Sequence, residues 1–304
     1  MNESRAPDPA QIVGSVLAWF AIARRPLPWR APGTTPWGVL VSEFMCQQTQ
    51  VDRVIPRWTA WLIRWPSPQA QAASDVADAV RLWDRLGYPR RAKWLHESAV
   101  IIRDRHDGAV PSATEELRAL PGVGEYTAAA VRAFAFGLPS IVLDTNVRRV
   151  LVRVVHGRAQ PHPHITVAER AEAATFIDHP HAAEWSAAVM ELGALICTAT
   201  RPLCGECPVA DHCAWLAAGL PKNATSGRRQ QPFAGSDRQV RGRVLALLRE
   251  SIEPVPASAL EALWDDSEQR QRALSSLLVD GLVDESPVGD FSLKGTRSAE
   301  GAKH

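Results

Sequence analysis

The chain has 304 residues, 46% of them apolar, and 34 Lys and Arg offset 33 Asp and Glu to a net charge of +1. That length suits two or three domains, and the balanced charge excludes a global basic field for nucleic acid. No run of 18 apolar residues occurs, which excludes a transmembrane helix, and "MNESRAPDPAQIVG" lacks the basic-then-apolar order of a signal peptide. A cytoplasmic, bacterial-type protein associated with the nucleoid is expected. The basic residues before Lys222 are arginines apart from Lys93. Arginine favours bidentate phosphate contacts, although a GC-rich genome gives the same bias.

In chain order, residues 9–24 predict an amphipathic helix, followed by the Pro/Gly-rich loop "RRPLPWRAPGTTP". From Trp37 to about Ile141 the periodicity is helical, with breaks expected at Pro56, Pro66, Gly87, Pro111 and "PGVG", and without a period-two strand. Helical pattern resumes in "NVRRVLVRVVHG" and "AAEWSAAVMELGALIC". "PKNATSGRRQQPFAGS" reads as a linker. Residues 237–294 read as three helices and two short strands around "SPVGD", the order of a winged helix.

Four stretches carry chemistry. In "VLVSEFMCQQTQV", a helix puts Glu43 on one face with Val39, Leu40, Cys46 and Gln47. Desolvation among such neighbours favours a protonated carboxyl, suited to a general acid. The competing reading is a Glu on the solvated side. "LPGVGEYTAAAV" reads as a tight hairpin between helices, with Gly122 and Gly124 allowing close backbone approach and free N–H groups inviting an anion. An ordinary helical corner explains it equally well. In "VLDTNVRRV", Asp144 is an N-cap, a cleft-facing carboxylate, or both.

The fourth stretch is "CTATRPLCGECPVADHC", which holds four of the five cysteines as C-x6-C-x2-C-x5-C: Cys197, Cys204, Cys207 and Cys213. In a reducing compartment such crowding indicates metal or redox chemistry. Only one short C-x2-C unit is present, where structural zinc sites use two. The wide outer gaps suit a four-thiolate iron–sulfur cluster, with a zinc knot or free thiols as alternatives.

Together "SEFMCQQTQVDRVIPRW", "LWDRLGYPRRAKWLH", "LPGVGEYTA", "LDTNVRRVL" and "MELGALICTATRPLCGECPVADHC" resemble MutY-type adenine DNA glycosylases, within the helix–hairpin–helix superfamily that includes endonuclease III. The resemblance runs from about Leu17 to Trp215. It implies a mainly α fold: an N-terminal helix (1–29) packing with the cluster module, a six-helix module with the hairpin (30–137), and an iron–sulfur module (138–217). Beyond these come a linker (218–236), a small winged-helix-like α+β domain (237–295) and a disordered tail (296–304). It also implies a [4Fe–4S] cluster on the four cysteines, and a monomer acting on double-stranded DNA. The implied reaction is base-excision repair, in which adenine mispaired with 8-oxoguanine or guanine is flipped from the stack and released.

By resemblance, Glu43 protonates adenine, Asp144 stabilises the sugar cation, Asn146 orients this machinery and Tyr126 stands beside Glu43. Gln48, Leu86 and Tyr88 match residues that wedge into the duplex. Arg25, Leu27, Trp29 and Arg30 match the lining of the adenine pocket. Endonuclease III-like relatives carry a Schiff-base lysine where Tyr126 stands, so a monofunctional enzyme that leaves an abasic site is implied. Three departures bear on selectivity. Ala187 stands where the family often has an amide or carboxylate, Cys46 replaces a leucine, and Arg238–Gly295 is too short for the usual Nudix-like domain. Two rival readings are a thymine or uracil mismatch glycosylase and a non-catalytic iron–sulfur DNA-binding redox sensor. Glu43 favours a purine that needs protonation, and a sensor needs none of Glu43, Tyr126, Asp144 and Asn146.

Overall fold

A computed structural model describes residues 8–222 and 232–296; the first seven residues, much of the expected linker and the expected tail beyond Thr296 lie outside the described residues. Among the described residues there are fifteen α-helices and one two-stranded sheet, and none of the helices is long and apolar enough to cross a membrane. In chain order the first eight helices are α1 (Pro9–Ala23), α2 (Pro36–Cys46), α3 (Val51–Arg64), α4 (Pro68–Ala72), α5 (Val76–Trp83), α6 (Arg90–Arg105), α7 (Thr114–Arg118) and α8 (Glu125–Phe136). Then come α9 (Thr145–His156), α10 (Val167–Thr175), α11 (Ala182–Leu195), α12 (Ala214–Ala217), α13 (Asp237–Glu250), α14 (Ala257–Glu261) and α15 (Ser267–Val279). Strands β1 (Val283–Glu285) and β2 (Phe291–Leu293) close the described chain.

The chain forms two compact units. The first takes the described residues up to Leu40, Ser112–Ala119, and those from Val123 to Lys222. Asp8 caps α1 by accepting the Ala10 N–H at 3.0 Å, and Pro9 fills the first turn, where no N–H is needed. The buried face of α1, with Ile12, Val16 and Phe20, packs against α11 in a core shared with Val147, Val150 and Leu192 of α9 and α11. Each such side chain contributes roughly 1.5–3 kcal/mol by leaving water. Phe176 stacks on Trp185 with ring centroids 5.5 Å apart. Helix α10 has no counterpart among the sequence-predicted elements; its apolar content is mostly alanine, which gives little periodic contrast.

The second unit takes Val41–Pro111, Leu120–Gly122 and the described residues from Pro232. Its centre is a tryptophan cluster, Trp61 edge-on to Trp65 and Trp83 at 4.8 and 5.8 Å, with the Trp61 indole donating to the buried Gln71 amide at 2.8 Å. The break expected at Pro56 does not occur: Pro56 lies inside α3. It is exposed while Val54, Trp58 and Trp61 are buried, so its ring meets water and the apolar stripe runs on unbroken. In the C-terminal region, Val240, Val244 and Leu248 of α13 pack with Leu277 of α15 and Phe291 of β2 as a small core, and α13 lies against both α15 and β2. The hairpin pairs Val283 with Leu293 and Glu285 with Phe291, and Gly289 takes a left-handed φ of 85° in its turn. This region also docks on α5, where Arg81 donates to the Ser251 carbonyl at 3.4 Å.

Candidate active site

Asp144 sits at the N-cap of α9, where one carboxylate oxygen accepts the Val147 N–H at 2.7 Å. Its other oxygen accepts from the Asn146 amide at 2.7 Å. Asn146 in turn accepts from Arg149 at 2.8 Å, and Arg149 donates onward to the carbonyls of Gly193 and Cys197. Burial raises the carboxyl above its ordinary range, opposed by the bonds from Val147 and Asn146 and by the Arg149 charge. Gly193 makes room for this chain of bonds: a Cβ there would lie 2.6 Å from that of Asn146.

Cys197, Cys204, Cys207 and Cys213 line one cavity, with Val150, Leu192, Val209 and Trp215 among its apolar walls. Among the described residues, no three Cys, His, Asp or Glu side chains converge closely enough for a single metal ion. Tetrahedral zinc would draw its thiolates to about 3.8 Å from one another, given bonds of about 2.3 Å. Four thiols spread around a shared apolar cavity suit a larger iron–sulfur body instead. Burial pushes Cys207 up to about 11 and raises Cys204 and Cys213, so without metal these thiols keep their protons, which iron displaces. Arg153 is buried, lies 4.2 Å from the Trp215 ring centroid, and donates to the Cys197 sulfur at 3.3 Å and the Thr198 carbonyl at 2.8 Å. Such donors to sulfur tune a cluster's potential.

The "RPLPWR" segment is fixed by a residue that sequence reasoning missed. Glu191 is fully buried and binds Arg25 through two side-chain bonds of 2.8 Å and one backbone bond of 2.9 Å, and Arg30 at 3.2 Å. Burial alone would raise its pKa; the Arg25 hydrogen bonds and the Arg30 charge prevail and hold it at about 2. Arg25 and Arg30 thus anchor the segment, leaving Leu27 buried and Trp29 half-buried. The available signal was a lone Glu between Met190 and Leu192 on an apolar helix. Tyr126 is half-buried against Ala130, Ala133 and Val142, while Ala187 packs on the core of the first unit.

In the second unit, Glu43 is 7% exposed, beside Phe44 and Met45, which have no exposure, and Cys46 ends the same helix half-buried. Buried Arg91 organises the loops next to it. It donates to the carbonyls of Phe44 (2.8 Å), Gln47 and Gly87 (3.1 Å) and to the Thr49 hydroxyl (3.0 Å). These bonds tie together two loops whose tips, Gln48 and Tyr88, have left-handed φ values of 54° and 47°. Tyr88 is 57% exposed, whereas Leu86 is buried and does not project. Gly122 also needs its glycine, with a φ of 76° and a Cβ position 2.9 Å from both Phe44 and Trp94. Gly124, in the first unit, is the exposed, extended N-cap of α8 with open space beside it. Lys93 pairs with Glu97 at 3.2 Å and lies against Gly281.

Residues 41–174 match the model of HhH-GPD superfamily base excision DNA repair proteins, and residues 197–213 match the iron–sulfur binding domain of endonuclease III. The second match begins and ends on the outer cysteines, and the cofactor of this chain is a [4Fe–4S] cluster. The chain is 51% identical to an adenine DNA glycosylase of Mycolicibacterium smegmatis, across 92% of this chain and 95% of that protein. It is 34% identical to a thymine-DNA glycosylase of Aeropyrum pernix across 65% of this chain and 91% of the other. In fold it is similar to endonuclease III in a trapped covalent intermediate with DNA, with a TM-score of 0.59 and 22% identity across 70% of this chain and 99% of that one.

Proposed function

We propose a reaction from a plain premise: the chain belongs to the adenine DNA glycosylases, within the HhH-GPD base excision repair superfamily. Acting as a monomer on duplex DNA, it removes adenine mispaired with guanine or 8-oxoguanine and leaves an abasic site. The target base leaves the stack before its glycosidic bond is reached. Glu43 delivers a proton to the purine, making it a better leaving group, and burial keeps that carboxyl from competing water. Asp144 stabilises the positive charge growing on the sugar. Asn146 holds the carboxylate in place, and Arg149 holds Asn146. Gln48 and Tyr88 enter the duplex from loops held by Arg91, and Gly122 and Gly124 bring backbone to phosphate.

The observation that carries this reading is the half-buried Asp144 carboxylate, fixed at both oxygens. The test is base release from duplexes carrying each mismatch, read as strand breaks after alkali. Adenine release opposite guanine and 8-oxoguanine is expected; thymine release with adenine untouched overturns the reading in favour of the activity for which the Aeropyrum pernix relative is named. The monofunctional assignment rests on tyrosine at position 126 and on Lys93 being engaged with Glu97. Borohydride should therefore trap little covalent adduct, because no amine is placed to form the imine. Robust trapping abolished by Lys93→Ala would overturn it.

A further inference from the structure

In the second unit, the link from α5 to α6 carries Tyr88 and is strained along its length. Asp84, Gly87 and Tyr88 have left-handed φ values of 47°, 84° and 47°. Asp84 combines its φ with a ψ of -122°, a setting that suits glycine. Such backbone persists only where its surroundings over-determine it. Here four successive carbonyls are each taken by a side-chain donor. Arg249 of α13 donates to the Asp84 carbonyl, and Arg53 of α3 to that of Arg85. The Thr49 hydroxyl donates to the Leu86 carbonyl at 3.1 Å. The Gly87 carbonyl accepts from the Trp83 indole at 2.9 Å and from Arg91 at 3.1 Å.

Arg249 differs from the other donors, because it reaches the loop from 165 residues away. Burial works against its charge, and the Asp84 carboxylate offsets that cost only in part, with the Arg85 and Arg57 charges adding to it. Docking of the C-terminal region has other anchors. Arg81 holds the Ser251 carbonyl at 3.4 Å, and Asp280 pairs with Arg241 at 2.6 Å and with Arg90 at 3.3 Å, where Arg241, Gln48 and Tyr88 border one cleft. Arg249 instead meets the first carbonyl of the strained loop. The direction of a carbonyl is set by the ψ of its own residue. A donor fixed at Asp84 therefore fixes that ψ, and with it the plane of the Asp84–Arg85 peptide from which the rest of the loop departs. We infer that Arg249 is a positioning residue for excision: by pinning the Asp84 carbonyl it holds Tyr88 in the pose that enters the duplex. The inference rests on the glycosylase reading above, which sends Tyr88 into DNA, whereas the pin itself belongs to the free protein.

The test uses the full chain and begins without DNA. The sequence has two tyrosines, Tyr88 and Tyr126, so 3-fluorotyrosine labelling gives two fluorine lines, which Tyr126→Phe assigns. Arg249→Gln should shift or broaden the Tyr88 line and leave the Tyr126 line in place. Arg249→Lys, which keeps one donor for the one carbonyl, should restore it. An unmoved Tyr88 line overturns the inference, and so does equal movement of both lines, the mark of a general loosening. Single-turnover adenine release from an A:G duplex follows. Arg249→Gln should slow it about tenfold, the scale of one charge-assisted hydrogen bond. In a Tyr88→Ala background the same substitution should cost less than about twofold, because its effect runs through Tyr88. An equal loss in both backgrounds overturns the inference, since a merely structural contact would not depend on Tyr88. Melting curves establish that the variants are folded, and Arg249→Met, which keeps an unbranched stem, decides if Arg249→Gln is not. A wild type that releases no adenine sinks the glycosylase reading, while the fluorine lines still judge whether Arg249 holds the loop.

Discussion

The surroundings of α9 and α11 and the rim formed by Gln48, Tyr88 and Arg241 hold their charges in opposite ways. In the first, Glu191, Arg149 and Arg153 are buried and each is bound by several partners within the unit. In the second, the Arg90–Asp280 and Arg241–Asp280 pairs remain partly in water, and two loop tips sit in a strained backbone region. Fully bound buried charges cannot shift without leaving one of them unpaired, so they fix geometry. Half-exposed pairs exchange partners at little cost, since such pairs are worth about 1 kcal/mol or less. A group that stabilises a transition state has to be in place beforehand, whereas a surface that reads a deformable duplex has to adjust.

The largest expected effects lie at the carboxylates. Asp144→Asn and Glu43→Gln should each lower single-turnover excision by about a hundredfold or more, with binding to mispaired DNA largely kept. Asp144→Asn should at the same time stabilise the fold. The folded carboxyl lies above its ordinary value, so the folded state binds the proton more tightly, and that stabilisation fades as pH rises from about 4 through the folded value. Asparagine caps a helix as well as aspartate does; it gives up the bond from the Asn146 amide, worth about 1 kcal/mol, and with it the desolvated charge. Its melting temperature should exceed the wild type's at neutral pH, and a lower one would show that the bond from Asn146 outweighs the desolvation of Asp144.

The cluster loop comes next. Cys204→Ser should lower iron from about four per chain and weaken DNA affinity with it. Because Arg149 and Arg153 both bind the Cys197 carbonyl, disorder there should also reach Asn146 and Asp144 and slow excision in whatever protein still binds DNA. Stoichiometric zinc without iron after anaerobic purification of the wild type would count against the cluster, and full excision without iron would uncouple the two sites.

Glu191→Gln should destabilise the first unit by about 2–3 kcal/mol, since it strips the partner from Arg25 and Arg30 while both stay partly hydrated. The wild-type carboxylate, held at about 2, contributes stability that is present above its ordinary value near 4.5 and is lost as pH falls towards 2. Urea titrations at pH 3 and pH 7 should show the variant's deficit shrinking in acid, and a deficit independent of pH would mean that packing, not charge, is what Glu191 supplies.

A different division, between residues whose partners are near in the chain and those whose partners are far, separates what was legible in the sequence from what was not. Asp144 could be read because an N-cap is local: the carboxylate, Asn146 and the apolar period of α9 lie within a few residues. The cysteines could be read from spacing, and the helix–helix–helix–hairpin order of the C-terminal region from periodicity and a turn glycine. Glu191 could not, because its partners Arg25 and Arg30 lie some 160 residues away and nothing near it in the chain signals them. Arg91 was hidden likewise, as one arginine among several whose role is to collect carbonyls from other loops. Pro56 misled because a proline's effect depends on which face it occupies, and that is set by packing.

The smallest expected effect lies at the rim. Gln48 carries a steric cost at φ 54° that glycine would not, on the order of 1 kcal/mol, while glycine adds unfolded-chain entropy that takes back part of the gain. Gln48→Gly should therefore raise stability by about 0.5 kcal/mol, and the Arg91 bonds to the Gln47 carbonyl and Thr49 hydroxyl on either side should keep the loop's path. If Gln48 enters the duplex, the same change should weaken binding to mispaired DNA severalfold without shifting the pH dependence of excision, because it touches neither Glu43 nor Asp144. Stability and affinity are measured on one preparation, by urea titration and anisotropy. A variant that gains stability and loses no affinity would make the left-handed Gln48 a feature of the fold alone, and one that loses both would mean that the side chain, rather than Arg91, holds the loop.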